Sequence, residues 1–339
     1  MRQEARLRKW VAEGSWNQIA KYFDVHPPSK AGDFLIRAWM RGAQGEVPLR
    51  IVADLEAAHA LSPGDPVILV NLAGALLATE QAPGALQAAR AACFLAPDSL
   101  PALEKRAHAA VACAEWEEAR ECVQRALNVY GKHLPLPAWA APIVEMLECR
   151  WWKPSGAGNY ELRMPQESDI DFLAETFSNQ IFMAHYHRFQ AADSAAVREF
   201  VIRGKQPLWK LHRLDWIVVD LAGVPMGLAA IVDIDWRNRR GEMLIGFPGK
   251  VPQTAGLATS LAVMNFAFER LRLIKLVSLV YEDNLAAQAN TLHLGFSSEG
   301  LLRDHIQTPD GRVGLFVNGL LHDEYRASPM LGKLRERWL

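Results

Sequence analysis

The sequence predicts two domains of different class, an all-α domain followed by an α/β (α+β) domain. Three observations predict this division. Apolar and small residues in the first half recur about every 34 residues. A segment rich in proline and glycine, residues 150–160, then interrupts the pattern. Beyond it, short alternating patterns typical of strands are interleaved with patterns typical of helices.

Length and composition agree with two globular domains and limit the functional classes. At 339 residues the chain exceeds the usual size of one hydrophobic core. Half of the residues are apolar and the net charge is −1, so we expect no global attraction to nucleic acid or to an anionic membrane. No apolar run is long enough to span a bilayer, and no apolar stretch follows the basic N-terminal residues, so a cytoplasmic location is expected.

The four cysteines all lie in the first half of the chain, at Cys93, Cys113, Cys122 and Cys149. They form no Cys-x-x-Cys pair, and no histidine stands beside them at ligand spacing. We therefore expect small buried thiols on helices and no metal site.

The first half repeats a helix–turn–helix unit. The best copy has at its key positions Leu69, Leu72, Ala73, Leu76, Ala85, Ala92 and Pro97. The following copy has Leu103, Arg106, Ala107, Ala110, Ala119, Ala126 and Gly131, and the preceding one has Leu35, Ala38, Trp39, Gly42, Ile51, Ala58 and Pro63. This period resembles the tetratricopeptide repeat (TPR), which implies a TPR-like solenoid over residues 1–150 that docks a protein partner or dimerises. A generic alanine-rich bundle is the alternative.

The second half is predicted to begin with an irregular linker, residues 151–158. Residues 159–325 then give the order β-α-α-β-β-β-α-β-α-β-β, and residues 326–339 form a C-terminal tail. Ser168 is the predicted cap of the first helix. The helix after Gly256 is predicted to be amphipathic, with one apolar face made of Leu257, Leu261, Met264, Phe268 and Leu271.

This order of elements, with a glycine-bearing loop before a helix, resembles the GNAT superfamily of N-acetyltransferases. The family's acyl-CoA loop reads Gln/Arg-x-x-Gly-x-Gly/Ala. The matching residues are Gln253, Thr254, Ala255, Gly256, Leu257 and Ala258. A helix N-terminus offers unpaired N–H groups and partial positive charge, and a glycine lets a pyrophosphate approach them. The resemblance implies that acetyl-CoA or another acyl-CoA binds here. Thr254 departs from the family's second glycine, and a plain helix start is the alternative.

Two further sets of residues are implied by the same GNAT-like pattern. In the family, backbone N–H groups of the splayed fourth strand hold the pantetheine and polarise the thioester. The corresponding residues are Leu244, Ile245, Gly246 and Phe247. Asn284 precedes a helix that ends in Gly295–Phe296, as in the family, which implies that it contacts the pantetheine arm, caps that helix, or does both.

Acyl transfer to an amine requires a proton acceptor, an oxyanion donor and a way to stabilise the departing thiolate. Glu242 is the favoured base, since a branch of the family that acetylates ribosomal-protein alanine has an acidic residue there; an ion pair with Arg239 or Arg240 is the alternative. The other candidate base is His305, because histidine titrates near neutral pH; the alternative is a solvated strand end. The remaining candidates are Tyr281 to protonate the thiolate, and Asp233, Asp235 and Trp236 to line the acceptor side.

The sequence therefore predicts a cytoplasmic, acetyl-CoA-dependent N-acyltransferase of the GNAT type, acting by direct attack in a ternary complex. The second half contains no cysteine, which disfavours an acyl-cysteine intermediate. The expected acceptor is an amine of a peptide, a protein or an amino-sugar intermediate. Fatty-acyl transfer to a peptide side chain is one alternative. A non-catalytic scaffold that senses acyl-CoA and binds partners through its helical repeats is the other.

Overall fold

The computed structural model describes residues 2–131, 138–186, 193–308 and 311–339. The chain divides into two compact units, Met1–Leu147 and Glu148–Leu339, called here the helical unit and the sheet unit. Within the described residues, no helix is both long enough and apolar enough to cross a membrane.

The helical unit is all-α over its described residues, as predicted. Its helices are α1 (Arg2–Ala12), α2 (Trp16–Val25), α3 (Ala31–Ala43), α4 (Pro48–Leu61), α5 (Pro66–Ala78), α6 (Ala82–Leu95), α7 (Leu100–Ala112), α8 (Trp116–Tyr130) and α9 (Ala141–Glu148). Side-chain caps start two of them: the Asp65 carboxylate accepts from the first turn of α5, and the Ser99 hydroxyl accepts from Ala102 N–H.

Small residues let neighbouring helices of this unit pack closely. The fully buried alanines include Ala58, Ala85, Ala92, Ala119 and Ala126. They occupy the repeated small positions of the sequence pattern, where a larger side chain would force the helices apart. Three of the four free cysteine thiols are buried and the fourth, Cys113, is half-buried.

An eight-stranded mixed sheet organises the sheet unit. Its strands are β1 (Ser155–Ala157), β2 (Tyr160–Arg163), β3 (Leu214–Asp220), β4 (Pro225–Asp235), β5 (Arg240–Gly246), β6 (Lys275–Tyr281), β7 (Ser297–Thr308) and β8 (Gly311–Leu321). The order is β1-β2-β3-β4-β5-β6-β8-β7. Only β5 and β6 run parallel; the other neighbours are antiparallel. The predicted mixed α/β class is confirmed.

Seven α-helices accompany the sheet in the described residues. They are α10 (Ile170–Ser178), α11 (Gln180–Tyr186), α12 (Ser194–Arg203), α13 (Gln253–Asn265), α14 (Leu285–His293), α15 (His322–Ala327) and α16 (Pro329–Trp338). The crossover between the parallel strands β5 and β6 is α13, extended by a π-helical turn at Phe266–Arg270. The prediction that α13 has one apolar face is wrong. Residues 258–264 are all buried, because the helix contacts β1, β2, β4, β5 and α16.

The predicted irregular linker is wrong over Ser155–Ala157, which forms β1 and pairs with β2. Gly158 adopts φ +60°, a left-handed conformation that glycine takes without strain, and this closes the tight turn between the two strands. Trp151 is fully buried, and the Arg270 guanidinium donates to the Cys149 carbonyl at 2.7 Å. An apolar anchor and a sheet ladder thus order a segment whose composition predicts a loop.

The predicted C-terminal tail is also wrong, because Pro329–Trp338 form α16. Leu331 on this helix is fully buried, and the Arg335 guanidinium donates to the Tyr325 carbonyl at 2.6 Å. The Ser328 hydroxyl caps the helix start.

A further correction concerns the cap predicted at Ser168. The side chain that accepts hydrogen bonds there is Asp169, from Gln166 N–H at 2.8 Å.

Candidate functional site

The parallel strands β5 and β6 pair over a short length and then part. Glu242 and Val277 form their last pair. Beyond it, β5 pairs only with β4 as far as Gly246, and β6 pairs only with β8 as far as Tyr281. The space that opens between them is called here the strand gap.

Backbone groups of β5 alternate between β4 and the strand gap. Lys275 N–H on β6 donates to the Arg239 carbonyl at 3.4 Å, which fixes the odd-numbered residues of β5 as those whose backbone groups face β6. Ile245 N–H therefore points into the strand gap, whereas Leu244 and Gly246 pair with β4. Of the four residues predicted to hold the pantetheine, the alternation favours Ile245; Phe247 lies just after the strand.

Aromatic rings from α11 cover β5 at Gly246. A Cβ at this glycine would stand 2.6 Å from the Phe182 ring and 2.7 Å from the Tyr186 ring. The two rings stack, with centroids 5.1 Å apart. Glycine is therefore required at 246 by close approach of the two rings, and these rings form one wall beside the strand gap.

Glu242 lies at the point where the strand gap opens and is half-buried. Burial raises the pKa of its carboxyl group to about 7, and the negative charge of Asp233 adds to this effect. A hydrogen bond from Leu279 N–H and the positive charge of Arg213 act in the opposite direction. Of the two arginines proposed as structural partners, Arg239 and Arg240, the second pairs instead with Asp235 at 3.6 Å.

The other two predicted catalytic residues lie in different places. Tyr281 ends β6 at the side of the strand gap, is half-buried, and its carbonyl accepts from Asn284 N–H at 2.8 Å. His305 lies exposed on β7, at the outer edge of the sheet. Since β8 and β6 separate β7 from β5, the backbones of the two strands are about 14 Å apart at roughly 4.8 Å per strand. The structure brings Tyr281, but not His305, to the strand gap.

The first turn of α13 has the features that a phosphate group requires. Pro252 precedes the helix and its side chain provides no cap. A Cβ at Gly256 would meet no described protein atom within 4 Å, so packing does not demand glycine there. An uncapped helix start with open space at its glycine fits the diphosphate of an acyl-CoA. The departure at Thr254 is accommodated, as its hydroxyl lies 3.3 Å from the Tyr160 hydroxyl.

Asn284 caps α14, since its side-chain oxygen accepts from Ala287 N–H at 3.1 Å. A buried amide pair fixes the helix to the sheet: Gln288 and Asn318 exchange two hydrogen bonds of 2.9 Å each. Asn318 also donates to the Ser278 carbonyl at 3.1 Å. This network fixes where Asn284 stands beside the end of β6.

Charged and polar side chains from three separate segments form a second group of candidate residues. We call Tyr186, Arg213, Asp215 and Asp233 the polar cluster. Arg213 Nε donates to the buried Asp215 carboxylate at 2.6 Å, and the charge of Asp233 also acts on Arg213. The Tyr186 hydroxyl is buried and has no hydrogen-bond partner among the described residues.

Sequence reasoning missed all of this cluster except Asp233. Its members come from α11, β4 and the segment around the start of β3, and no spacing rule links positions so far apart in the chain. The one available signal was local, namely that the charged residues of "HRLD" stand at the start of an apolar strand. Among the residues that the structure describes, no group of three or more His, Cys, Asp or Glu side chains is arranged to hold a metal ion.

Comparison with known families gives one match, which lies within the sheet unit. Residues 159–297 match the family model described as an acetyltransferase (GNAT) domain. This range includes β2 through α14, and therefore the strand gap, the first turn of α13 and Asn284. No curated protein is significantly similar in sequence.

The similarity of this chain to solved structures is low, both in sequence identity and in TM-score. A spermidine N-acetyltransferase from Vibrio cholerae in complex with CoA and spermine has 19% identity and a TM-score of 0.43, over 50% of this chain and 98% of its own. A dodecameric structure of that enzyme has 20% identity and a TM-score of 0.42, over 50% of this chain and 99% of its own. At these values the likeness carries no argument about the acceptor.

Proposed function

We propose that the chain is an acetyl-CoA-dependent N-acyltransferase that acetylates an amine of a peptide, protein or amino-sugar intermediate, because residues 159–297 match the model of a GNAT acetyltransferase domain. The observation that carries the proposal is the position of Glu242. Its carboxylate stands where the strand gap opens, with a pKa of about 7. A group with that pKa can take a proton from an ammonium group at neutral pH.

In the proposed reaction, Glu242 accepts the proton of the acceptor's ammonium group, directly or through a water molecule. The free amine then attacks the thioester carbon within a ternary complex. Ile245 N–H, which points into the strand gap, is placed to donate to the carbonyl oxygen as negative charge develops on it. As the C–S bond breaks, Tyr281, at the far side of the gap, is the proposed proton donor to the leaving thiolate, and the second proton that the nitrogen loses in forming the amide passes to water.

The co-substrate supplies the acyl group as a thioester. We propose that its diphosphate is held by the residues at the start of α13, Gln253–Ala258. Gly256 lets the diphosphate approach the helix backbone closely. Asn284 is the proposed contact to the pantetheine arm in addition to its cap. The rings of Phe182 and Tyr186 wall β5 at Gly246, which favours an acetyl group over a fatty-acyl chain.

The test of this function is thiol release from acetyl-CoA with separate amines: a dipeptide amide, glucosamine and a simple alkylamine. Sustained release that requires both the amine and Glu242 supports the enzyme. Binding of acetyl-CoA without turnover of any amine would favour the acyl-CoA-sensing scaffold instead. Release of CoA from palmitoyl-CoA but not from acetyl-CoA would favour fatty-acyl transfer.

We also propose that the helical unit is a TPR-like solenoid that binds a protein partner. The second helices of three successive pairs, α4, α6 and α8, begin at Pro48, Ala82 and Trp116, each 34 residues after the last. A cleft of about 500 Å³ lies on this unit and is lined mainly by apolar side chains, including Trp39 and Ile51. Lys105 is the charged residue among those lining it.

The proposed occupant of the cleft is a peptide segment with an apolar side chain next to a carboxylate. Ala78 lines the cleft and is exposed, so Ala78→Trp fills the space with little effect on packing. It should abolish binding of a peptide with leucine followed by two glutamates, measured by calorimetry, and Lys105→Glu should weaken that binding. Unchanged affinity in both variants would contradict the proposal.

We place the enzyme in the cytoplasm, since all four cysteines are free thiols.

A further inference from the structure

Asp233 differs from the other two hairpin residues expected to line the acceptor side. Asp235 accepts from Asn238 N–H at 2.9 Å and pairs with Arg240, so it stabilises the β4–β5 turn. The Trp236 indole donates to the Leu211 carbonyl at 2.9 Å. Asp233 is exposed, and among the described residues its carboxylate has no hydrogen bond or ion pair.

Asp233 lies in a β-bulge, next to the cross-strand neighbour of Glu242. The pairing of β4 with β5 shifts between Val232 and Asp235, which marks a β-bulge, and Val232 is the cross-strand neighbour of Glu242. Asp233 itself adopts φ +50°. Bulges re-aim side chains, and a left-handed conformation at a residue other than glycine costs free energy that recurs at functional sites. The charge of Asp233 is felt at both Glu242 and Arg213.

The second observation is independent and comes from α11. The Tyr186 side chain is more than nine-tenths buried, yet its hydroxyl has no hydrogen-bond partner in the described part of the chain. Leaving such a group unpaired is costly, so a ligand atom that pairs with it is favoured. The Arg213 charge acts on Tyr186 and Glu242, and the Asp233 charge acts on Arg213, so the guanidinium lies within electrostatic range of all three.

We propose that Asp233 binds the ammonium group of the acceptor and presents it to Glu242, while Tyr186 and Arg213 donate hydrogen bonds to a carbonyl oxygen next to that amine. Arg213 uses Nε for Asp215, which leaves its other N–H groups for the acceptor. An ammonium group beside a carbonyl is the chemistry of a peptide N terminus. The proposal rests on the proposed function and selects the peptide among its acceptor classes.

The test compares two acceptors that differ in the carbonyl: alanine amide, and isopropylamine, which keeps the amine and the methyl group. Asp233→Asn keeps the shape, and asparagine tolerates the left-handed backbone. It should raise the KM of both amines by on the order of tenfold or more, as expected for one charge-assisted hydrogen bond. Tyr186→Phe should raise the KM of alanine amide by about threefold to tenfold and leave that of isopropylamine unchanged.

A pH profile separates a role in binding from a structural one. The groups facing Glu242 are Asp233 on β4, Arg213 before β3 and the Leu279 N–H on β6. Because the charge of Asp233 raises the Glu242 pKa, Asp233→Asn should move the acidic limb of kcat/KM to lower pH. The matched control is Asp304→Asn, an exposed aspartate at φ +51° on β7, which should change neither KM nor the limb.

The outcomes distinguish the inference from the function it rests on. Turnover that depends on Glu242 but is unaffected by Asp233→Asn and Tyr186→Phe would overturn the inference alone. Equal effects of Tyr186→Phe on both amines, or a preference for glucosamine over alanine amide, would overturn the assignment of the carbonyl. Absence of turnover with every amine would overturn the proposed function and the inference together.

Discussion

The backbone N–H of Leu279 on β6 lies near the side chain of Glu242 on β5, at the place where the two strands part, and it lowers the pKa of the Glu242 carboxyl group. It therefore acts against burial, which raises the same pKa to about 7. The acidity of Glu242 thus depends on how the two strands separate.

Glu242→Gln tests the proposed base. Glutamine keeps the size and can still accept from Leu279 N–H, but it cannot take a proton, so kcat/KM should fall by on the order of 10² to 10⁴. The dissociation constant of acetyl-CoA, measured by calorimetry, should stay the same. Glu161→Gln, an exposed glutamate on β2, is the control. A fall below twofold in kcat/KM would show that positioning and oxyanion donors carry the rate.

The pH dependence of the wild-type enzyme follows from the same residue. A general base acts when deprotonated, so kcat/KM should rise with pH through about 7, the Glu242 pKa. Initial rates across pH 5 to 9 would show this acidic limb, and Glu242→Gln should remove it. A limb that persists unchanged in the variant must belong to another group.

Stability should depend on Glu242 with a definite sign. The folded state raises its pKa from 4.5 to about 7, so the folded protein binds a proton that the unfolded chain releases. The resulting contribution to the free energy of unfolding is fully present below about pH 4.5 and is lost as the pH rises through about 7. The difference in free energy of unfolding between Glu242→Gln and wild type, measured with urea at both pH values, should therefore favour the variant more at pH 8 than at pH 5. The opposite order would mean that the carboxylate is stabilised in the fold.

His305→Gln should have little effect on kcat/KM, because His305 lies on the exposed outer strand and two strands separate it from β5. The measurement is a kcat/KM profile against pH beside that of Glu242→Gln. A large loss in the histidine variant together with near-normal turnover in Glu242→Gln would make His305 the base.

Gly256→Val tests the phosphate site. The valine side chain would fill the open space beside the start of α13, so acetyl-CoA affinity should fall by more than tenfold. Gly32→Val is the matched control, since Gly32 lies in the first turn of α3 and a Cβ there also meets no described atom. Calorimetry with acetyl-CoA and circular dichroism separate binding from folding. Equal affinity in both variants would contradict the site.

Limited proteolysis tests the corrected view of residues 151–158. Trp151 is buried and β1 is paired, so trypsin should spare Arg150 and Lys153 while it cuts exposed loops. Arg270→Ala removes the donor to the carbonyls of Cys149 and Arg150 and should make this segment susceptible. Rapid cleavage of the wild type here would favour the irregular linker.

Local patterns predicted the elements of this fold well where the physics is local. The strands of "LDWIVVD" and "LIKLVSLVY" carry their own apolar runs. The helix predicted after Gly256 exists, but it begins earlier, at Gln253, so Gly256 is its fourth residue and not part of a preceding loop. The strand in residues 155–157 and the helix at the C terminus were missed, because partners distant in the chain order them. Trp151 and Leu331 show no sign in the sequence of what buries them.

The candidate site divides in the same way. Glu242, Ile245 and the first turn of α13 lie in contiguous motifs that a sequence comparison finds. Tyr186 and Arg213 do not, since their role depends on how α11 and the start of β3 come together around β5. Clusters assembled from distant segments are visible only after folding.

The parting of β5 and β6 has a consequence for the energetics of the unliganded protein. In the part of the chain that the structure describes, Ile245 N–H faces the strand gap, while its neighbours Leu244 and Gly246 face β4. Hydrogen–deuterium exchange should therefore alternate along a single strand, fast at Ile245 and slow on either side. Saturation with CoA should slow the fast amide and raise the melting temperature by mass action, so that the opening that admits the co-substrate is also a weakly protected stretch inside the sheet.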